Sequence, residues 1–304
     1  MSIVGREHWT RKGEARLFLW EKVDPALEAA AAAAGRVLLC SHGSSMAGIP
    51  TFDLQVPGET DTSLMDVFSR WGYDVWMVDH EGYGRSTKDR TGSCAVAEGA
   101  EDLAAAAAFI RRTRDVESLL LYGISSGALR AGLFTMQHPD WVRRLALNSP
   151  VWKGEGSPTL TKRRERLPEY LASPRRAISV EFIRSVFERD HPGVADPRVV
   201  EAYAREVLKY DDSVPTGTYV DMVSRLPLLD PARIPVPTLL IHGEYDGVAR
   251  PEDLLPFFAA LPSPDRQYVI LPGSAHHNIL EKNRALLFHA LHAFFSAPAP
   301  VYRG

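Results

Sequence analysis

The residues of this chain most suited to covalent chemistry lie in LLLYGISSGALRAG, residues 119 to 132. Gly123-Ile124-Ser125-Ser126-Gly127 fits the pattern G-x-S-x-G with Ser125 at its centre. Where a strand must turn into a helix within a few residues, one side chain is pushed into the open, and a glycine two positions away on each side leaves room for the crowding. The helix that follows aims its N-terminus at the same place, which favours negative charge developing there. Centring the pattern on Ser126 would need glycine at 124 and 128, where Ile124 and Ala128 stand. The competing reading is a Ser/Gly turn that only caps the helix. A serine hydroxyl is a weak nucleophile until a base takes its proton, so Ser125 needs a histidine and an acid to orient it.

The elements that would position these groups can be read from hydrophobic runs. Residues 14–21 read as a strand, paired through the Lys12-Gly13 turn with the segment before it, and PALEAAAAAAG reads as a short helix or a connector. From Gly35 onward, short apolar runs ending in turn residues alternate with amphipathic stretches: RVLLCSHG, DTSLMDVFSRWG, YDVWMVDHEGYGRS, EGAEDLAAAAAFIRRTR, ESLLLYGISSG, ALRAGLFTMQHPD and VRRLALNSP. Nearly all-apolar strands alternating with helices imply a parallel sheet covered on both faces. The alternation stops at residue 152 and returns at about 236 with VPTLLIHGEYDG, PEDLLPFFAAL, RQYVILPGSAHH and NRALLFHALHAFFS. The expected organisation is therefore an α/β core made of 1–151 and 236–304, interrupted after its fourth parallel-type strand by 152–235. That insertion holds helical pieces, no apolar run resembling a core strand, and a position suited to a cap over the strand ends where such sheets build their sites.

Ten histidines compete for the role of base. Only one at the C-terminal edge of the sheet can reach Ser125, which leaves His42, His80, His242, His276 and His277. The acids at the correct edge are Asp79, Glu81, Glu244 and Asp246.

These motifs together resemble the α/β-hydrolase fold superfamily, over roughly residues 35–150 and 235–296. HGEYDGVARP resembles the family's H-G-x-x-D-x-x-x-P, and PGSAHHNILE resembles P-G-x-x-H with Glu281 five residues on. The resemblance implies a triad in the family's chain order: Ser125, Asp246, His276, with His277 the alternative base one position along. CSHGSS resembles the H-G turn after the first parallel strand. It implies an oxyanion hole from the backbone N–H groups of Ser44 (Ser45 the alternative) and Ser126. VDHEGYGRS resembles the family's D-x-R-G-x-G-x-S turn, with Glu81 where arginine is usual, a departure that bears on local ion pairing.

A serine at 125 argues against the dehalogenases and epoxide hydrolases of this fold, which need a carboxylate nucleophile. What remains is acyl transfer, with a carboxylic ester or lactone as the expected substrate. Carbon–carbon bond hydrolysis of a vinylogous diketone, thioester or amide hydrolysis, and ligand sensing without turnover are the alternatives. Ser45, Met46, Trp152 and His277 are expected near the substrate. Tyr170, Phe182, Phe187 and Tyr203 fit either the pocket or the insertion's own core. The basic run Lys162, Arg163, Arg164, Arg166 fits either a solvated face or a docking site for a carboxylate or phosphate.

The 304 residues are 45% hydrophobic and 24% charged, with a net charge of −3. That balance does not suggest a nucleic-acid binder. No run approaches the length that spans a membrane, and the N-terminal residues lack the pattern of a secretory signal. The two cysteines form no metal-type spacing. The expectation is a cytoplasmic enzyme on a small-molecule acyl substrate that needs no cofactor or metal, with a homodimer left open.

Overall fold

A computed structural model describes residues 2–88 and 91–301. The chain opens with the expected hairpin, β1 (Val4–Lys12) and β2 (Ala15–Val23), antiparallel from Val4 opposite Val23 to Lys12 opposite Ala15. The short helix α1 (Glu28–Ala33) follows. Then come β3 (Val37–Ser41), α2 (Gly48–Phe52), α3 (Leu64–Arg70), β4 (Asp74–Val78), α4 (Val96–Arg114), β5 (Leu119–Ile124), α5 (Ser126–Gln137) and β6 (Val142–Asn148). After the inserted segment the chain completes the sheet with β9 (Thr238–Gly243), α11 (Pro251–Ala260), β10 (Arg266–Leu271) and α12 (Arg284–Phe295).

One eight-stranded sheet results, in the order β1-β2-β4-β3-β5-β6-β9-β10, with only β1 and β2 antiparallel to their neighbours. The central strands are buried on both faces, as their unbroken apolar runs require. Alternate side chains serve opposite layers. Leu38, Cys40, Val75, Met77 and Tyr122 pack with α3 and α12, while Leu39, Trp76, Val78, Leu121 and Leu147 pack with α4, α5 and α11. From β3 the chain moves to one side for β4 and to the other for β5. The C-terminal ends of β3 and β5 thus form the switch point at which open α/β sheets place their sites.

The segment between β6 and β9 carries α6 (Pro158–Arg164), α7 (Leu167–Ala172), α8 (Val180–Glu188), α9 (Pro197–Tyr210) and α10 (Gly217–Ser224). It also holds an antiparallel ribbon of β7 (Arg175–Ala177) and β8 (Ser213–Pro215), separate from the main sheet. This ribbon has no counterpart in the hydrophobic pattern, because its strands are three residues long and partly polar. Four of the five helices start with a proline in the first turn or a serine accepting from the first-turn N–H groups, or both.

Both glycines of the G-x-S-x-G motif are required by close approach. A Cβ on Gly123 would lie 2.4 Å from the Gly127 carbonyl oxygen, and one on Gly127 would lie 2.2 Å from that of Ser41 and 2.5 Å from that of His42. Helix α5 can therefore press against the end of β3 only with glycine at 127. Gly127→Ala should cost ~1–3 kcal/mol of stability by overpacking against backbone. Gly92→Ala, which meets nothing within 4 Å, should stay within about 0.5 kcal/mol of wild type. Equilibrium urea unfolding of the two variants checks the pair.

Candidate active site

Ser125 sits between β5 and α5 with φ 57° and ψ −124°, a strained conformation for a residue with a side chain. Its N–H donates to the Asn148 carbonyl at 2.8 Å, which fixes the turn to the end of β6. Residues 119 to 132 are all buried except Ser125, which is half open. The turn thus presents one hydroxyl.

The loop after β10 brings His276 to it. Ser125 Oγ and His276 Nε2 are 3.1 Å apart, and His276 Nδ1 lies 2.9 and 3.0 Å from the two carboxylate oxygens of Asp246. With Asp246 ionised, Nδ1–H donates to the carboxylate and Nε2 is left to accept the serine proton. Burial alone would raise the Asp246 carboxyl. The facing imidazole and the N–H groups of Val248 (2.8 Å) and Ala249 (3.0 Å) outweigh it and hold the group down at about 2.

The other histidines at this edge are occupied elsewhere. His42 donates Nδ1–H to the Gly43 carbonyl and accepts at Nε2 from the His80 N–H. His80 lies between Ser41 and Asp102, and His242 between the Gly243 carbonyl and the Tyr268 hydroxyl. Burial holds His42 and His80 well below the ordinary imidazole range. His277 packs its ring against those of Phe187 and Tyr203, 4.8 and 5.1 Å between centroids, and burial holds it neutral at about 3.

The remaining acids are engaged by backbone N–H groups or by a lysine. Glu244 accepts from the Gly273 N–H. Asp79, pushed up to about 7 by burial, accepts from the N–H groups of Gly48 and Arg85. Glu81, in the position where the family usually has arginine, pairs with Lys12 of β1 at 3.1 Å. Glu281 accepts from the N–H groups of Ala275 (2.7 Å) and His277 (3.1 Å), clamping the histidine loop, and burial pushes its carboxyl up to about 7 against their pull.

On the far side of Ser125 lies the loop after β3. Ser44 Oγ–H donates to Ser126 Oγ at 2.6 Å, and the Ser44 carbonyl accepts from the Tyr83 hydroxyl and from Arg176 Nη2. The N–H of Ser126 belongs to the first turn of α5, where no intrahelical acceptor exists.

A cavity of about 50 Å³ opens beside Ser125 and His276. Ser44, Ser45, Met46 and His277 line it, as does Tyr203. Trp152 does not reach it. Its indole N–H donates to the Leu229 carbonyl at 3.0 Å and its ring packs on Phe257, because the chain after β6 turns toward α11, where Asp253 accepts three N–H groups from residues 152–154. Arg163, Arg189 and Tyr219 also line the cavity, all from the inserted segment. The Tyr219 ring lies between two guanidiniums, Arg163 at 4.4 Å and Arg176 at 4.1 Å from its centroid.

A sheet of this order, with a serine after its third parallel strand, an acid after the fifth and a histidine after the last, defines an α/β hydrolase. The chain belongs to the serine aminopeptidase, S33, family, which it matches over residues 58–283. It is 26% identical over 244 residues to an uncharacterised protein, YnbC, of Escherichia coli (strain K12), a match covering 77% of this chain but 39% of that protein. The chain thus spans about two fifths of the length of the curated relative it matches. Among solved structures it resembles a hydrolase from Pseudomonas aeruginosa PA01 (TM-score 0.70, 20% identity, 96% and 98% of the two chains). It also resembles E-2-(acetamidomethylene)succinate hydrolase (0.69, 19%, 97% and 100%) and the enol-lactonase from Burkholderia xenovorans LB400 (0.67, 16%, 95% and 100%). No described helix is long and apolar enough to cross a membrane.

Sequence reasoning did not single out Arg176, Arg189 or Tyr219. They lie on separate elements of the inserted segment, and only its folding brings them together. Their proximity has a measurable consequence. Burial alone would raise the Tyr219 phenol, but Arg163 and Arg176, with a hydrogen bond from Ser45, bring it down to about 7. A depressed acid adds stability that is complete above its unfolded value near 10 and is lost as pH falls through about 7. A phenolate band should therefore grow in the ultraviolet spectrum as pH rises through 7, and should be missing in Tyr219→Phe.

Proposed function

We propose that this hydrolase cleaves a short carboxylic ester or lactone through an acyl-enzyme on Ser125. The observation that carries the reading is the continuous hydrogen-bonded chain Asp246–His276–Ser125, with no link longer than 3.1 Å. His276 takes the Ser125 proton as Oγ attacks the carbonyl. The tetrahedral oxyanion is held by the backbone N–H groups of Ser44 and Ser126 and by the positive end of α5. His276 then protonates the leaving alkoxide, and water, activated by the same imidazole, releases the acid. Asp246 keeps the imidazole in the tautomer this sequence needs and stabilises the imidazolium. The inserted segment, 152–235, acts as a cap that supplies the outer wall of the cavity and excludes water.

The small cavity favours a short acyl group. Hydrolytic activities named for structural neighbours, an enol-lactonase and a thioesterase domain among them, support acyl transfer as the reaction type. The family description points to removal of an amino-terminal residue. Such a substrate brings a free ammonium, and the cavity lining contains arginines and no carboxylate. That argues for an ester or lactone over an aminopeptide.

The two adjacent serines should separate cleanly. Ser125→Ala should lower kcat on a short 4-nitrophenyl ester by on the order of 10⁴-fold or more and abolish fluorophosphonate labelling. Ser126→Ala keeps the backbone N–H and loses only the hydroxyl that accepts from Ser44, so it should cost roughly 3–10-fold. Undiminished labelling of Ser125→Ala would reject the assignment of the nucleophile.

A further inference from the structure

The cavity beside Ser125 carries more positive charge than the protein neutralises. Arg163 of α6, Arg189 at the end of α8 and Tyr219 of α10 line it, while Arg176 of β7 lies against the Tyr219 ring, 4.1 Å from its centroid, outside the lining. Among the described residues, neither Arg163 nor Arg176 has an ion-pair partner. Arg189 pairs only with Asp190, at 3.4 Å. Arg176 Nη2 donates to Ser45 Oγ at 2.7 Å, while its Nε is buried with no hydrogen-bond partner. His277 Nε2, on the cavity wall, is also buried and unpartnered. The neighbouring cations of the basic run behave differently: Lys162 and Arg164 are exposed, and Arg166 is exposed and bound to Glu169.

An unpaired guanidinium taken partly out of water is costly, and proteins seldom keep one without a partner. Two of them stacked on the faces of one tyrosine repel each other. The Tyr219 phenol relieves this in part, since Arg163 and Arg176 at its ring favour its ionised form. The planar five-donor fork of arginine matches a carboxylate in a way that water and a phenol do not. Arg176 also holds Ser45 Oγ and the Ser44 carbonyl, so the cationic cluster is built onto the same loop that flanks the nucleophile. A group bound there lies next to the reacting carbonyl. Arg163 and Arg189 line the same small cavity as Ser125, so only a short spacer would separate the two groups.

We propose that Arg163 and Arg189, backed by the charge of Arg176 against Tyr219 and Ser45, form a carboxylate-binding subsite, and that the substrate is a short ester or lactone carrying a free carboxylate near its scissile carbonyl. The proposal rests on the hydrolase reading above for its reaction and on the unpaired arginines for its specificity, and the two can fail separately.

The test compares methanol release from monomethyl glutarate and from dimethyl glutarate, which differ in one charge. Wild type should prefer the monoester in kcat/KM by about 10-fold or more, the worth of a hydrogen-bonded charge pair. Arg163→Gln and Arg176→Gln should each bring that ratio toward unity. The surface control Arg166→Gln should keep it. Thermal melting checks that each variant folds, and two independent arginines guard against one that does not.

A second measurement needs no turnover. Glutarate should raise the melting temperature of Ser125→Ala, and the added Arg163→Gln change should remove that shift. Equal rates on the two esters in a wild type that labels with fluorophosphonate would overturn the carboxylate subsite and leave the hydrolase standing. Glutarate stabilisation that depends on Arg163, in a protein that neither labels nor turns over either ester, would uphold the subsite and reject the hydrolase reading. Stronger stabilisation by inorganic phosphate than by glutarate would overturn the choice of carboxylate.

Discussion

The serine side of this site depends on how closely α5 can approach the end of β3. The approach is limited by backbone atoms, since a single added methyl at Gly127 would overlap two carbonyl oxygens. With that contact made, the peptide at Ser125 has no room to relax from its left-handed φ, and the hydroxyl is held out of an otherwise buried stretch. The same contact brings Ser44 within hydrogen-bonding distance of Ser126. One packing constraint therefore orients the Ser125 hydroxyl, the helix N-terminus and the neighbouring loop together.

The histidine side is built by different means. Gly243, at the end of β9, passes under the loop after β10, where a Cβ would come within 2.3 Å of the Ala275 carbonyl oxygen. Glu281 clamps the loop from behind through two N–H groups. Asn278 ties it to Asn148 (2.7 Å), which in turn donates to the Tyr122 hydroxyl. A buried hydrogen-bonded network of this kind rigidifies what it holds. His276 is thereby placed from the β6 and β9 ends, independently of the turn that places Ser125.

Much of this was legible in the residues. The apolar runs located the strands, and the strand-turn-helix context singled out Ser125 over Ser126 because the glycine spacing admits one register. Asp246 and His276 required the motif resemblance, because spacing alone left five histidines and four acids at the same edge. What excluded the others is pairing that only the fold reveals, such as His42 between Gly43 and the His80 N–H. Trp152 was expected at the substrate and instead packs on Phe257, since nothing in its neighbours indicates the direction taken after β6. The ribbon of β7 and β8 left no hydrophobic signature. The arginine cluster was half visible: the run at 162–166 stood out as charge, but which of its members turns inward is set by the helical phase of α6 and by partners on other elements.

The proposed mechanism puts the reaction on one atom, Ser125 Oγ, with charge stabilisation on one side and proton transfer on the other. The measurement that bears most directly on this is mass spectrometry of the protein mixed with a short activated ester and quenched in acid before turnover completes. The intact mass should rise by one acyl group, and proteolysis should locate it on the peptide containing Ser125. Acyl mass on any other residue, or ester cleavage at full rate with no acylated protein at any quench time, would contradict the account.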